Sequence, residues 1–153
     1  MTILPSFGAP RSRLIQVVSW MTASMFLAMT LAQLFKYENQ PIIMSTLMPF
    51  DDQPLSSIIA ALIILAQVLG LPYLLGMYIS RLMRILCAVS GTSASLFWLL
   101  TSLTNSHASN SGLFSSALDV PGGLIPAVWS MILFAGFSAV VFADSKFRHD
   151  SSS

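Results

Sequence analysis

The residues whose types could do chemistry are few, and they fall in two places. Lys36, Tyr37 and Glu38 are consecutive at the end of a long apolar run, and they form the only compact charged group beside such a run. Together with Asp51 and Asp52 they can line a polar mouth, or they can serve as an interfacial anchor, with the lysine snorkelling and the tyrosine at headgroup level. Gln67 stands near the middle of a second apolar run, five residues before Pro72. An amide there needs partners for one carbonyl and two N–H donors, so it faces other helices rather than lipid. It reads either as an interhelical hydrogen bond, worth about 0.6–2 kcal/mol, or as a ligand-facing amide toward a quinone or another small polar head. Pro72 removes one helical hydrogen bond and predicts a kink, with Gly70 and Gly76 adding freedom around it. Gln16 and Gln33 sit near opposite ends of the first run, within reach of water or headgroups.

Much chemistry is excluded. Cys87 is the only cysteine, so there is no intramolecular disulfide, no dithiol cycle and no four-cysteine metal site. It reads as a small apolar packing residue. His107 and His149 fall in opposite aqueous regions and cannot be axial ligands of one haem. No histidine–carboxylate spacing suggests zinc, and no Gly-rich phosphate loop occurs. A net charge of +1 gives no basic face for nucleic acid. No catalytic residue, metal ligand or cofactor is assigned.

The elements that must position these side chains follow from composition. Of 153 residues, 55% are hydrophobic and 8% charged, against about 25% charged in a soluble domain. Lipid is therefore the main solvent, and the lipid bilayer the first partner. Four apolar stretches reach the roughly 20 residues that span a bilayer as a helix: about 14–35, 55–79, 82–104 and 124–143. Arg84 is the one formal charge inside them, close enough to a helix start to snorkel. The expected fold is all-α: a single domain over 1–153, a polytopic four-helix transmembrane bundle, with a flexible tail over 147–153.

Charge sets the orientation. Arg11 and Arg13 precede the first span, Arg81 and Arg84 lie at the turn between the second and third, and Lys146 and Arg148 follow the fourth. The positive-inside rule makes that side cytoplasmic, with both chain ends on it, in a multi-pass protein of the cell membrane. The competing reading of the first span as a cleaved secretory signal meets a run longer than the usual 7–15-residue core. A nearly absent turn at Ser80–Arg81 predicts a tight hairpin of spans two and three. On the other side, residues 36–54 contain a short amphipathic helix in the outer interface, with Asn39 as cap, Pro41 early, and Ile42, Ile43, Leu47 and Phe50 on one face. The link 105–121 is rich in Ser, Asn and Gly and reads as irregular.

Small residues at Ser90–Gly91 and Ala94–Ser95, and at Ala135, Ala139 and Ala143, allow close helix approach, within one bundle or in a homo-oligomer. Trp20, Trp98 and Trp129 read as lipid-facing or interfacial bulk.

A first span ending in AQLFKYENQP, a second reading AALIILAQVLGLPYLLG and a basic turn SRLMR resemble the DoxX-like and MauE-like group of small four-helix bacterial membrane proteins over roughly residues 14–143. The resemblance implies a bacterial inner-membrane protein that accompanies a membrane or periplasmic oxidoreductase. Members often carry a glutamate about where Gln67 stands; a glutamine keeps the hydrogen bond but not the proton carrier. Cys87 alone supplies no dithiol for MauE-type chemistry. The function expected is a non-catalytic membrane subunit or accessory protein of a respiratory or redox system, binding a quinone-like molecule with Gln67, Lys36, Tyr37 and Glu38 as ligand-binding candidates. The alternative is a small oligomeric transporter or channel-like protein. An enzyme at the outer mouth is the third reading.

Overall fold

A computed structural model describes residues 12–48, 53–77 and 79–150. The chain is helical and, among the described residues, without strands. Helix α1 spans Arg13–Phe35, a single 3-10 turn Tyr37–Asn39 leads into α2 (Gln40–Leu47), and α3 (Gln53–Leu74), α4 (Arg81–Thr104) and α5 (Leu124–Asp150) follow. The four long helices are each long and apolar enough to cross a membrane. They pack in a closed ring, α1 on α3, α3 on α4, α4 on α5 and α5 back on α1. This is an up-down-up-down bundle. Its two ends are called here the tail end, with the α3–α4 turn and the end of α5, and the cap end, with α2 and the α4–α5 loop.

The bundle presents an apolar outside, as lipid requires. Only 28–39% of each span's most apolar window is buried, and Leu27, Leu31, Leu62, Leu65, Val89 and Ile132 are all exposed.

Local chemistry explains most helix boundaries. Ser12 and Ser80 accept hydrogen bonds from the backbone N–H of Ile15 and Met83, capping α1 and α4. The apolar run of the second span continues to Ile79, yet α3 stops at Leu74. Gly76, at φ 68°, donates to the Tyr73 carbonyl, and Met77 donates to the Pro72 carbonyl. That pair of bonds is a Schellman motif, so Gly76 ends the helix instead of loosening it. Pro72 falls in this last turn, and the connection to α4 runs through residues 75–80 rather than being almost absent. Helix α5 instead outlasts its apolar run, continuing through 147–150.

The middle of the bundle is closely packed around one aromatic side chain. Phe137 of α5 is fully buried, with its ring 5.8 Å from both Phe26 (α1) and Tyr73 (α3). Glycines make room for it. A Cβ on Gly91 would lie 2.2 Å from the Phe137 ring, and one on Gly70 only 3.0 Å from the Gly91 Cα. Of the expected small-residue contacts, that of Gly91, Ala94 and Ser95 on α4 therefore lies inside the bundle, whereas Ala135 and Ala139 of α5 are exposed.

The short helix α2 forms as expected, with Asn39 at its N-cap and Pro41 in the first turn. Its inward face differs. Met44, Leu47 and Gln40 are buried while Ile42 is 53% exposed, because α2 docks that face against α3 and the α4–α5 loop. Phe50, Asp51 and Asp52, expected on this segment, lie outside the described residues.

Candidate functional site

Gln67 is fully buried on α3 and its Oε1 accepts a hydrogen bond of 2.9 Å from the Thr30 hydroxyl of α1. The interhelical bond expected of a buried amide is there. Among the described residues its Nε2 takes no partner. One turn further along α1, at the i+3 spacing that puts side chains on one face, Gln33 is also fully buried. Gln33 therefore does not reach water or headgroups; it turns inward and donates to the Leu113 carbonyl at 2.8 Å.

Leu113 belongs to the α4–α5 loop, which is folded rather than irregular. Ser111 N–H donates to the Val120 carbonyl and Gly122 N–H to the Ala108 carbonyl, both at 2.8 Å. Asn110 holds the turn, its Nδ2 donating to Asp119 at 2.8 Å and its Oδ1 accepting from the Gly112 N–H. Gly112 sits at φ 74°, where an L side chain is disfavoured. Its missing Cβ would also press on Leu47 at 3.0 Å and Ile43 at 3.1 Å of α2. Leu113 is thereby driven into the bundle at zero exposure. The loop and α2 together plug the cap end.

The plug is tied by side chains from the α1–α2 junction. Gln40 Nε2 donates to the Gly112 carbonyl at 3.3 Å, Asn39 Nδ2 to Ser116 at 2.8 Å, and Ser115 Oγ donates to the Lys36 carbonyl at 3.1 Å. Asn39 thus spends its side chain on the loop and makes no capping bond to α2. Trp98 of α4 packs beneath, its ring 3.6 Å from the position a Gly112 Cβ would take. It is fully buried, unlike the exposed Trp20, so the lipid-facing reading fails for Trp98. Trp129 is half-buried and donates to Met29 Sδ at 3.1 Å.

Among the described residues, five buried polar atoms have no hydrogen-bond partner: Gln33 Oε1, Gln40 Oε1, Gln67 Nε2, Trp98 Nε1 and Ser111 Oγ. Each such atom costs about 1–3 kcal/mol if left dry, and native interiors hold only a few per hundred residues. Four belong to residues that touch or adjoin Gly112 and Leu113, and the fifth belongs to Gln67, whose partner Thr30 stands one turn from Gln33 on α1. Gln33 and Gln40 grip adjacent carbonyls, Ser111 precedes them, Trp98 packs against the same glycine, and Gln67 joins through Thr30. The set offers two acceptors, two fixed donors and a hydroxyl able to do either. None is titratable, so the site suits an uncharged hydrogen-bonding group, since a buried charge would need a counter-charge that these five do not supply.

The other sequence candidates lie outside it. Lys36, Tyr37 and Glu38 are exposed at the cap end. The Tyr37 hydroxyl donates to the Ser57 carbonyl at 3.4 Å, and Lys36 Nζ stands 5.9 Å from the centre of the Phe35 ring. Only the backbone of Lys36 joins the plug. Cys87 is buried within α4, and among the described residues no group of three His, Cys, Asp or Glu side chains is placed to hold a metal.

Comparison with protein-family models, with curated proteins and with solved structures found no match. The chain is an integral membrane protein by its four apolar helices, and its own geometry carries the functional argument.

Proposed function

We propose that the chain is a non-catalytic membrane subunit or accessory protein that holds a small, uncharged, quinone-like molecule beneath the cap-end plug. The carrying observation is the set of five buried polar atoms with no partner among the described residues, four of them on residues at Gly112 and Leu113. A quinone carbonyl accepts from Gln67 Nε2 or Trp98 Nε1, and a quinol hydroxyl donates to Gln33 or Gln40, so one neutral site serves both redox forms. The molecule reaches it from the bilayer, the phase in which an apolar-tailed quinone resides. The charge pattern supports placement in a cell membrane with both chain ends cytoplasmic. The redox setting and an oxidoreductase partner rest on the resemblance to DoxX-like and MauE-like proteins alone.

Titration of the purified full-length chain with a short-chain benzoquinone, followed by tryptophan fluorescence, tests the reading. A saturable quenching component should be lost in Trp98→Phe and weakened about fivefold or more in Gln67→Met, the scale of one buried hydrogen bond. Unsaturable quenching, identical in all three proteins, would rule the site out.

A further inference from the structure

The tail end holds a second polar feature that the cap-end reading leaves unused. Asp144 of α5 is 6% exposed, and with Arg84 of α4 it lines an open cleft of about 280 Å³. The other walls include the side chains of Tyr73, Ile85, Ala88 and Val141. Arg84 stands one turn into α4, just past the Ser80 cap. Among the described residues its guanidinium takes no hydrogen-bond or ion-pair partner. Asp144 keeps an interaction of its own, and the several lone pairs of a carboxylate leave room for a further donor.

A cleft lined, among the described residues, by one cation, one shielded carboxylate and an apolar wall, at the rim of a membrane-spanning bundle, fits an amphiphile whose head carries both charges. We propose that it binds the headgroup of a zwitterionic phospholipid with a primary amine, of the phosphatidylethanolamine type. The planar guanidinium pairs with the phosphate in the bidentate manner arginine favours. The ammonium donates to Asp144, and the acyl chains leave along Ile85, Ala88 and Val141 toward the exposed apolar surface of α4 and α5. Two related headgroups are discriminated against. A choline head has no N–H to give the carboxylate, and a glycerol head brings no positive charge to Asp144. The proposal is independent of the cap-end site, which lies at the other end of the bundle.

Native mass spectrometry of the full-length chain in detergent, with dioleoyl phosphatidylethanolamine, phosphatidylcholine and phosphatidylglycerol added at equal mole fraction, reads it directly. The ethanolamine lipid should be retained about tenfold or more over the other two, the scale of one charge-assisted hydrogen bond. Arg84→Gln should reduce retention of all three, and Asp144→Asn should abolish the preference among them. Ala88→Phe, which fills the cleft without touching a charge, should remove the adduct. Equal retention by the wild type, a preference for the glycerol lipid, or an adduct that survives both Arg84→Gln and Ala88→Phe would overturn the proposal. If Asp144→Asn does not fold, the wild-type ranking and Ala88→Phe still decide it.

Discussion

The two halves of this bundle solve opposite problems. Around Phe137, α3, α4 and α5 meet through Gly70 and Gly91, a buried ring fills the space the glycines leave, and rings from α1 and α3 close over it. At the cap end the α4–α5 loop enters instead, its carbonyls taking the amides of Gln33 and Gln40, and among the described residues five buried polar atoms stay unpaired. In lipid, apolar burial gives little net drive between helices, so close packing must hold the bundle together. The packed middle around Phe137 does this. The cap half keeps hydrogen-bonding capacity it does not use on itself, and that difference separates a structural region from a binding one.

The largest expected effect falls on that packed middle. Gly91→Val places a branched side chain where a Cβ alone would be 2.2 Å from the Phe137 ring, and Phe137 is flanked by Phe26 and Tyr73. Overpacking of this kind costs typically 1–3 kcal/mol, occasionally more. We expect about 3 kcal/mol or more here, seen as loss of a monodisperse folded species in detergent. A stable, cooperatively unfolding Gly91→Val protein would break the contrast.

Gln33→Leu should cost about 1 kcal/mol. It strips the Leu113 carbonyl of its donor, a penalty of about 1–3 kcal/mol, but also removes one unpaired oxygen. Cleavage by protease in the 105–123 loop should accelerate, while the packed middle around Phe137 stays intact by hydrogen exchange.

A double-mutant cycle of Thr30→Val and Gln67→Met should give a coupling of about 0.6–2 kcal/mol, the range for hydrogen bonds between membrane helices. Additive effects would mean the bond contributes nothing. The smallest effect belongs to Gln67→Met alone. It loses the Thr30 bond and also removes an unpaired N–H, so thermal stability without ligand should move by less than about 0.5 kcal/mol, the scale of a neutral substitution.

How much of this is legible in the sequence differs in the same way between the halves. Length and hydropathy suffice for the four spans, because lipid demands apolar helices of a set length whatever they pack against. Gly91 and its small neighbours also signal a contact. The end of α3 is harder, since Leu75–Ile79 stays apolar and only the positive φ of Gly76 stops the helix. The site is largely hidden. A helix that is apolar nearly all round carries little information on its inward side, so Gln33 and Trp98 cannot be aimed from sequence. The loop's one signal is the apolar pair Leu113–Phe114 inside a run of Ser, Asn and Gly. Asp144 lies one residue past the expected end of the fourth span and is overlooked for that reason. Gln67 is found because a mid-span amide is conspicuous, whereas Lys36, Tyr37 and Glu38 are conspicuous for their charge and stay on the surface.

The central claim is that the unpaired atoms of the cap end are there for a neutral ligand. The most direct measurement is the unfolding midpoint of the full-length chain with and without a short-chain benzoquinone, in the wild type and in Gln67→Met. A ligand at 100 times its dissociation constant stabilises the protein by about 2.7 kcal/mol, so the wild-type midpoint should rise by several degrees and the variant's by clearly less. No shift in the wild type, or the same shift in both proteins, would contradict the account.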